Sequence, residues 1–219
     1  MTGRTAGAEA RAAVRDRLGV AAGLAALVLA VLGIVFAGDS GPTEADVRVW
    51  AALGETGQPW WDVADAVDLL GEPVGAALLV AGTAAGCLLV RRPRAAVLVV
   101  AAVGASVAVA RLLKSVVGRT IHGPENLSFP SGHTAFLTAF ALAVVLVATG
   151  RLGLGRAAGT ALAVAAGLVA GGVMGWAQVV TGAHYPTDVV GGWCTAMAVV
   201  PVTARLVHRA ADAGRGARS

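Results

Sequence analysis

Six apolar runs, at Leu18–Phe36, Val74–Val90, Ala95–Val117, Thr134–Thr149, Ala157–Val180 and Val189–Val207, constrain this chain more than any other feature. A helix needs about 20 apolar residues to cross a bilayer, so runs of this length read as membrane spans. The expected fold class is all-α: an integral-membrane bundle of six transmembrane helices over residues 18–208, flanked by cytoplasmic tails at 1–17 and 209–219. Composition agrees, with 57% hydrophobic and 14% charged residues, where soluble domains carry about 25% charge. Thirty glycines suit membrane helices that pack through small residues. The first run is too long for the roughly 7–15-residue apolar core of a secretory signal, which favours an uncleaved span.

Net charge is +4, but the placement of the charge says more than its sum. With the N-terminus in the cytoplasm, thirteen of the seventeen basic residues fall on inner segments, and only Arg48, Arg111, Lys114 and Arg119 fall outside. The positive-inside rule therefore puts both termini inside and the active face outside the cytoplasmic membrane. Arginine outnumbers lysine sixteen to one in a chain rich in Ala, Gly and Val, a bias that points to a GC-rich bacterial source. Cys87 and Cys194 lie within apolar runs without metal-ligand spacing and read as packing residues. No aromatic-interleaved basic stripe is present, so no nucleic acid is expected as a partner. Residues 37–73 mix Asp39, Glu44, Asp46, Glu55, Asp62, Asp65, Asp68 and Glu72 with Trp50, Trp60, Trp61 and aliphatic residues at spacings of three and four. They read as a short amphipathic helical outer loop, either a cap on the bundle or a lid that admits lipid.

Polar chemistry gathers at the mouths of three spans. Arg111 and Lys114 share a helix face at the end of the third run, and Arg119 follows just past it. Pro130-Ser131-Gly132-His133 opens the fourth run. Serine is a good N-cap, and a helix N-terminus offers free N–H groups and a positive dipole end to an anion. Glycine lets that backbone approach a phosphate, and His133 in the first turn can give a proton to a leaving oxygen. His184-Tyr185-Pro186-Thr187-Asp188 opens the sixth run. There His184 and Asp188, four apart, share a helix face, so the carboxylate can hold one ring nitrogen while the other attacks.

With these residues in place, the chain resembles the type-2 phosphatidic acid phosphatases, integral-membrane lipid phosphatases related to vanadium haloperoxidases and bacterial acid phosphatases. Lys114, Pro130-Ser131-Gly132-His133 and His184-x-x-x-Asp188 match that family's three motifs, and the six-span plan extends the likeness over nearly the whole chain. The resemblance implies that His184 attacks phosphorus to give a phosphohistidine, with Asp188 orienting it and His133 protonating the departing group. Lys114, Ser131 and the Gly132 N–H would hold phosphate oxygens, and no metal or other cofactor is implied. Two family arginines are missing: Ile121 and His122 stand where Arg-Pro is expected, and Ala177-Gln178 where Ser-Arg is expected. Gln178 can donate hydrogen bonds to phosphate but supplies no charge, and Arg111, Arg119 or His122 are the candidates to compensate.

The expected function is hydrolysis of a lipid phosphomonoester or diphosphate of the polyprenyl diphosphate, phosphatidic acid or phosphatidylglycerophosphate type. Transfer of the phosphoryl group to another lipid or sugar is the enzymatic alternative. A non-catalytic relative that binds lipid headgroups is the alternative from another class, motivated by the two missing arginines. A transporter is disfavoured because the apolar runs are almost free of charge.

Overall fold

In hydrocarbon every backbone N–H and C=O must find its partner within the protein, and this chain meets that demand with helices. In order they are α1 (Thr2–Val35), α2 (Glu44–Leu53), α3 (Gln58–Asp68), α4 (Pro73–Leu89), α5 (Pro93–Val117), α6 (Gly132–Leu152), α7 (Arg156–Val180) and α8 (Pro186–Gly216). The computed structural model describes residues 2–53, 56–152 and 156–216; side chains of 2–18, 156 and 214–216 lie outside the described residues, with most of the expected tails. Among the described residues the extended backbone amounts to one isolated bridge, Thr120 with Leu127, within the α5–α6 connection.

Among the described residues fewer helices qualify as spans than the six expected. Helices α5, α6, α7 and α8 are long and apolar enough to cross a membrane. The fifth candidate is α3 together with α4, bent by 58° between them. The break follows from Gly71 and from Pro73 at the first helical position of α4, since proline lacks the N–H that would continue the α3 ladder. At 17 residues, α4 alone reaches about 26 Å, short of a hydrocarbon core of roughly 30 Å. The apolar part of α1, Gly19–Val35, falls short in the same way. The protein is therefore a multi-pass membrane protein, with four qualifying helices among the described residues, or five with the bent pair.

The outward surface suits lipid. Ile34, Val74, Leu78, Leu89, Leu112 and Val116 are all exposed. Inward, α8 packs against α1, α5, α6 and α7 and forms the axis of the bundle. Its core includes Val99, Ala102, Phe129, Ala139, Cys194, Ala196 and Val200, and Cys87 and Cys194 are buried free thiols. Small residues set the closest approach. A Cβ added to Gly171 would lie 2.5 Å from Trp193, and one on Gly175 only 2.3 Å from Val189, so these glycines let α7 lie directly on α8.

The 37–73 segment does more than float at an interface. Helix α2 packs on α8 and α3 on α7, with Trp50 against Tyr185 at 5.2 Å between ring centroids and Trp60 against Trp176 at 6.4 Å. Both short helices thus sit at the end of the bundle where α7 gives way to α8.

Gly175→Ala should lower the melting temperature in detergent, at a cost of about 1–3 kcal/mol for overpacking. Gly172→Ala, where nothing stands within 4 Å of the new methyl, should leave it unchanged or raised, because alanine is the better helix former.

Candidate active site

Glycine 118 ends α5 in the left-handed conformation, φ +68°, with its N–H on the Lys114 carbonyl at 3.0 Å. That turn sends Arg119 back into the protein, where its side chain is fully buried. Nη1 donates to Asp188 Oδ1 and to Thr187 Oγ1, each at 2.7 Å. Nη2 donates to the Gly41 carbonyl at 3.0 Å and to Asp46 Oδ2 at 3.2 Å. The guanidinium lies between two rings, 3.9 Å from the Phe36 centroid and 4.3 Å from that of Tyr185. Arg119 was expected to bind phosphate; instead it stands behind Asp188 with both terminal nitrogens committed to protein oxygens.

Asp46 arrives through local capping. Thr43 Oγ1 accepts the Asp46 N–H at 3.1 Å, while Asp46 Oδ2 accepts the Thr43 N–H at 2.9 Å, the reciprocal capping arrangement. Asp46 Oδ1 also takes the Thr187 N–H at 2.9 Å. Burial pushes its carboxyl up, but the hydrogen bonds from Thr43 and Thr187 outweigh this and hold it below the usual carboxylate range.

The serine-glycine-histidine turn and the histidine-aspartate pair meet directly, since the Ser131 N–H donates to the Asp188 carbonyl at 2.9 Å. Ser131 Oγ caps α6 by accepting the Thr134 N–H at 3.3 Å. The Phe129–Pro130 bond is cis. Gly191 and Gly192 allow α8 to come this close: a Cβ on Gly192 would sit 2.4 Å from the Ser131 carbonyl oxygen, and one on Gly191 would sit 2.5 Å from the Phe129 ring.

His184 lies in the α7–α8 connection, its N–H on the Gln178 carbonyl at 3.2 Å. Its ring is buried, and Nδ1 faces Asp188 Oδ2 at 3.6 Å, an ion-pair distance longer than a hydrogen bond. Oδ2 is also fixed by the Tyr185 N–H at 3.2 Å, so Arg119 and the loop backbone hold both Asp188 oxygens. Burial pushes the His184 imidazole below its ordinary value of 6.5. Asp188 opposes the shift, while the charges of Lys114 and His133 add to it. Lys114 Nζ donates to the Leu127 carbonyl at 2.6 Å.

His133 stands in the first turn of α6. Its Nε2 is 3.5 Å from Glu72 Oε1 and 3.7 Å from Asp68 Oδ1, both from the bend between α3 and α4. That bend lies hard against the ring, since a Cβ on Gly71 would fall 2.1 Å from His133 Cδ2. Gln178, expected to face phosphate, is buried and gives its side-chain amide to Asp68 Oδ1 in a short hydrogen bond. Among the described residues, Asp68, Glu72 and His133 form a group able to hold a metal ion, each with a donor atom within 4.8 Å of the others.

The other candidates to compensate for missing arginines lie elsewhere. Arg111 is exposed, His122 Nε2 bonds the Gly182 carbonyl at 2.8 Å, and Ile121 is buried. A cavity of about 910 Å³ near Met197, Pro201, Arg205 and His208 contains none of the motif residues, so cavity size does not mark this site.

A family model described as the PAP2 superfamily matches residues 95–212, more than half of the 219. The chain belongs to the PAP2 superfamily. The fold agrees with a crystal structure described as "the first transmembrane PAP2 type phosphatidylglycerolphosphate phosphatase from Bacillus subtilis", with a TM-score of 0.70 at 20% identity. The match covers 86% of this chain and 96% of that one. No curated protein matches this PAP2 chain in sequence.

The residues that sequence reasoning missed are Asp46, Asp68, Glu72 and Gly71, with Gly191 and Gly192. Thr43-x-x-Asp46 carried a local signal as a capping box. Asp68 and Glu72 carried none that set them apart from the other acidic residues of the 37–73 segment.

Arg119→Met should leave Asp46 and Asp188 buried without their cation, at a cost of about 3–5 kcal/mol, measured as a lower melting temperature in detergent. Adding Asp46→Asn to that variant should recover part of the loss.

Proposed function

We propose that this PAP2-superfamily protein is a membrane lipid phosphatase that releases phosphate from a lipid phosphomonoester or diphosphate through a phosphohistidine at His184. The carrying observation is the Ser131 N–H to Asp188 carbonyl contact, which joins the anion-binding turn to a buried His184 whose pKa is depressed. A depressed pKa keeps the imidazole neutral and nucleophilic at neutral pH.

The chemistry follows in two balanced steps. Asp188 faces Nδ1, so Nε2 attacks phosphorus; the N–P bond forms as the bond to the leaving oxygen breaks. His133 gives that oxygen a proton. Water then attacks the phosphohistidine, His133 takes a proton back, and cleavage of the N–P bond releases phosphate and neutral His184. Lys114, Ser131 and the Gly132 N–H at the start of α6 are the groups to hold phosphate oxygens. Arg119 acts one layer back, by fixing Asp188.

The substrate class is a phosphorylated lipid of the polyprenyl diphosphate, phosphatidic acid or phosphatidylglycerophosphate type. The apolar flanks of the bundle supply a lateral route for its tail. The basic residues favour both termini in the cytoplasm and the site on the outer face of the cytoplasmic membrane. This orientation requires α1 and the bent α3–α4 pair each to cross, which makes residues 18–208 one phosphatase-like membrane domain.

Purified protein in detergent, offered a panel of polyprenyl and glycerol lipid phosphates, should release inorganic phosphate from at least one. His184→Ala should abolish release. Equal, slow release by wild type and variant would favour a non-catalytic relative, and label moving into a second lipid would favour transfer.

The acid limb of kcat/KM against pH should fall below 6.5, since activity needs neutral His184 and its folded pKa is lowered. Lys114→Met removes a charge that lowers this value and should move the limb upward in pH.

A further inference from the structure

Two carboxylates at the site have no part in the chemistry just described. Asp68 ends α3 and Glu72 precedes α4, and each places an oxygen within 3.7 Å of Nε2 of His133, ion-pair distances longer than a hydrogen bond. Carboxylates are costly neighbours for a phosphate, because like charges repel at this range. The bend nonetheless brings them in closely: Gly71 lies against the ring with no room for a side chain. Gln178, buried where the family motif has arginine, anchors Asp68 by donating to the same Oδ1 that faces His133.

We infer that Asp68 and Glu72 are positioning residues for His133, holding its Nε2–H so that Nδ1 is the nitrogen that exchanges a proton with the leaving group. The inference rests on the phosphatase reading above. Two carboxylates beside Nε2 favour a proton on that nitrogen by charge, which leaves Nδ1 to carry the mobile proton. With Nε2–H facing the two carboxylates, the Nδ1 proton passes to the leaving oxygen as its bond to phosphorus breaks. The ring is left neutral, with the Nδ1 lone pair free to take a proton from water in the second step. Both carboxylates stay ionised throughout. Each histidine of the site then has its own carboxylate partner: Asp188 for the nucleophile, and the α3–α4 pair for the acid. Gln178 serves that pair rather than the phosphate.

The test is dependence on the leaving group. An alkoxide leaving from phosphatidate needs a proton, whereas 4-nitrophenolate does not. In the full-length protein, Asp68→Asn with Glu72→Gln keeps the shape and removes the charge. It should lose kcat on dioleoyl phosphatidate at least roughly tenfold more than on 4-nitrophenyl phosphate, since a positioned general acid contributes about 10²–10⁴-fold. A merely structural defect would slow both esters alike and would overturn the inference. So would faster turnover, which would mark the carboxylates as a repulsive plug. A wild-type requirement for Mg²⁺ that EDTA abolishes would overturn it too, because the three donors would then be metal ligands. His133→Ala separates the two levels. If it shows no such split, the acid role itself fails; if it shows the split and the double variant does not, only the positioning role fails. Asp68→Asn and Glu72→Gln singly should show a smaller split and serve where the double variant does not fold.

Discussion

The buried guanidinium of Arg119 is the contact on which the rest of the site depends. One side chain joins Asp46 of α2, the Gly41 carbonyl before it, and Thr187 and Asp188 at the start of α8. These groups are far apart in the chain, and none could be buried alone without a large desolvation cost. Two carboxylates around one guanidinium leave a net negative cluster, and the remaining demand is met by Thr43, the Tyr185 N–H and the Thr187 N–H. Asp188 is thereby fixed at both oxygens before any substrate arrives. A preorganised carboxylate is what the nucleophilic role proposed for His184 requires, because its ring must keep one orientation during attack.

Around this centre the balance of charge departs from the family motifs. Where arginines would have bound phosphate, Ile121 is buried and Gln178 is spent on Asp68. Lys114 remains, and the N–H groups at the start of α6 supply a dipole rather than a full charge. The bend between α3 and α4 adds negative charge beside His133. The site thus holds carboxylates paired with histidines more than a basic cradle, which shifts the expected emphasis from binding phosphate to directing protons.

Much of this was legible in residue order. Long apolar runs in α5 to α8 could form little else, and the helices lie close to the runs that announced them. The motifs at Pro130–His133 and His184–Asp188 lie at one end of the bundle because α6 and α8 run alongside each other and both start there. The first two runs were harder to read. Hydropathy alone does not show that a 17-residue helix completes its span only through a bent neighbour, since it does not register the break that Gly71 and Pro73 impose. Arg119 was misread for a related reason. An arginine just past a span looks like an anion ligand, and only the fold reveals that Asp46, some seventy residues earlier, has already claimed it.

Sequence by itself determined the membrane helices, the histidine-aspartate pair and the capped turn before α6. These follow from hydropathy, from periodicity and from the short spacing between His184, in the connection before α8, and Asp188 in its first turn. Tertiary structure decided which charges face one another: Arg119 inward to Asp46 and Asp188, Gln178 to Asp68, and Asp68 with Glu72 to His133. The reason is that Coulomb energy depends on separation and burial, and both arise only when glycines at 71, 191 and 192 let distant helices close to contact.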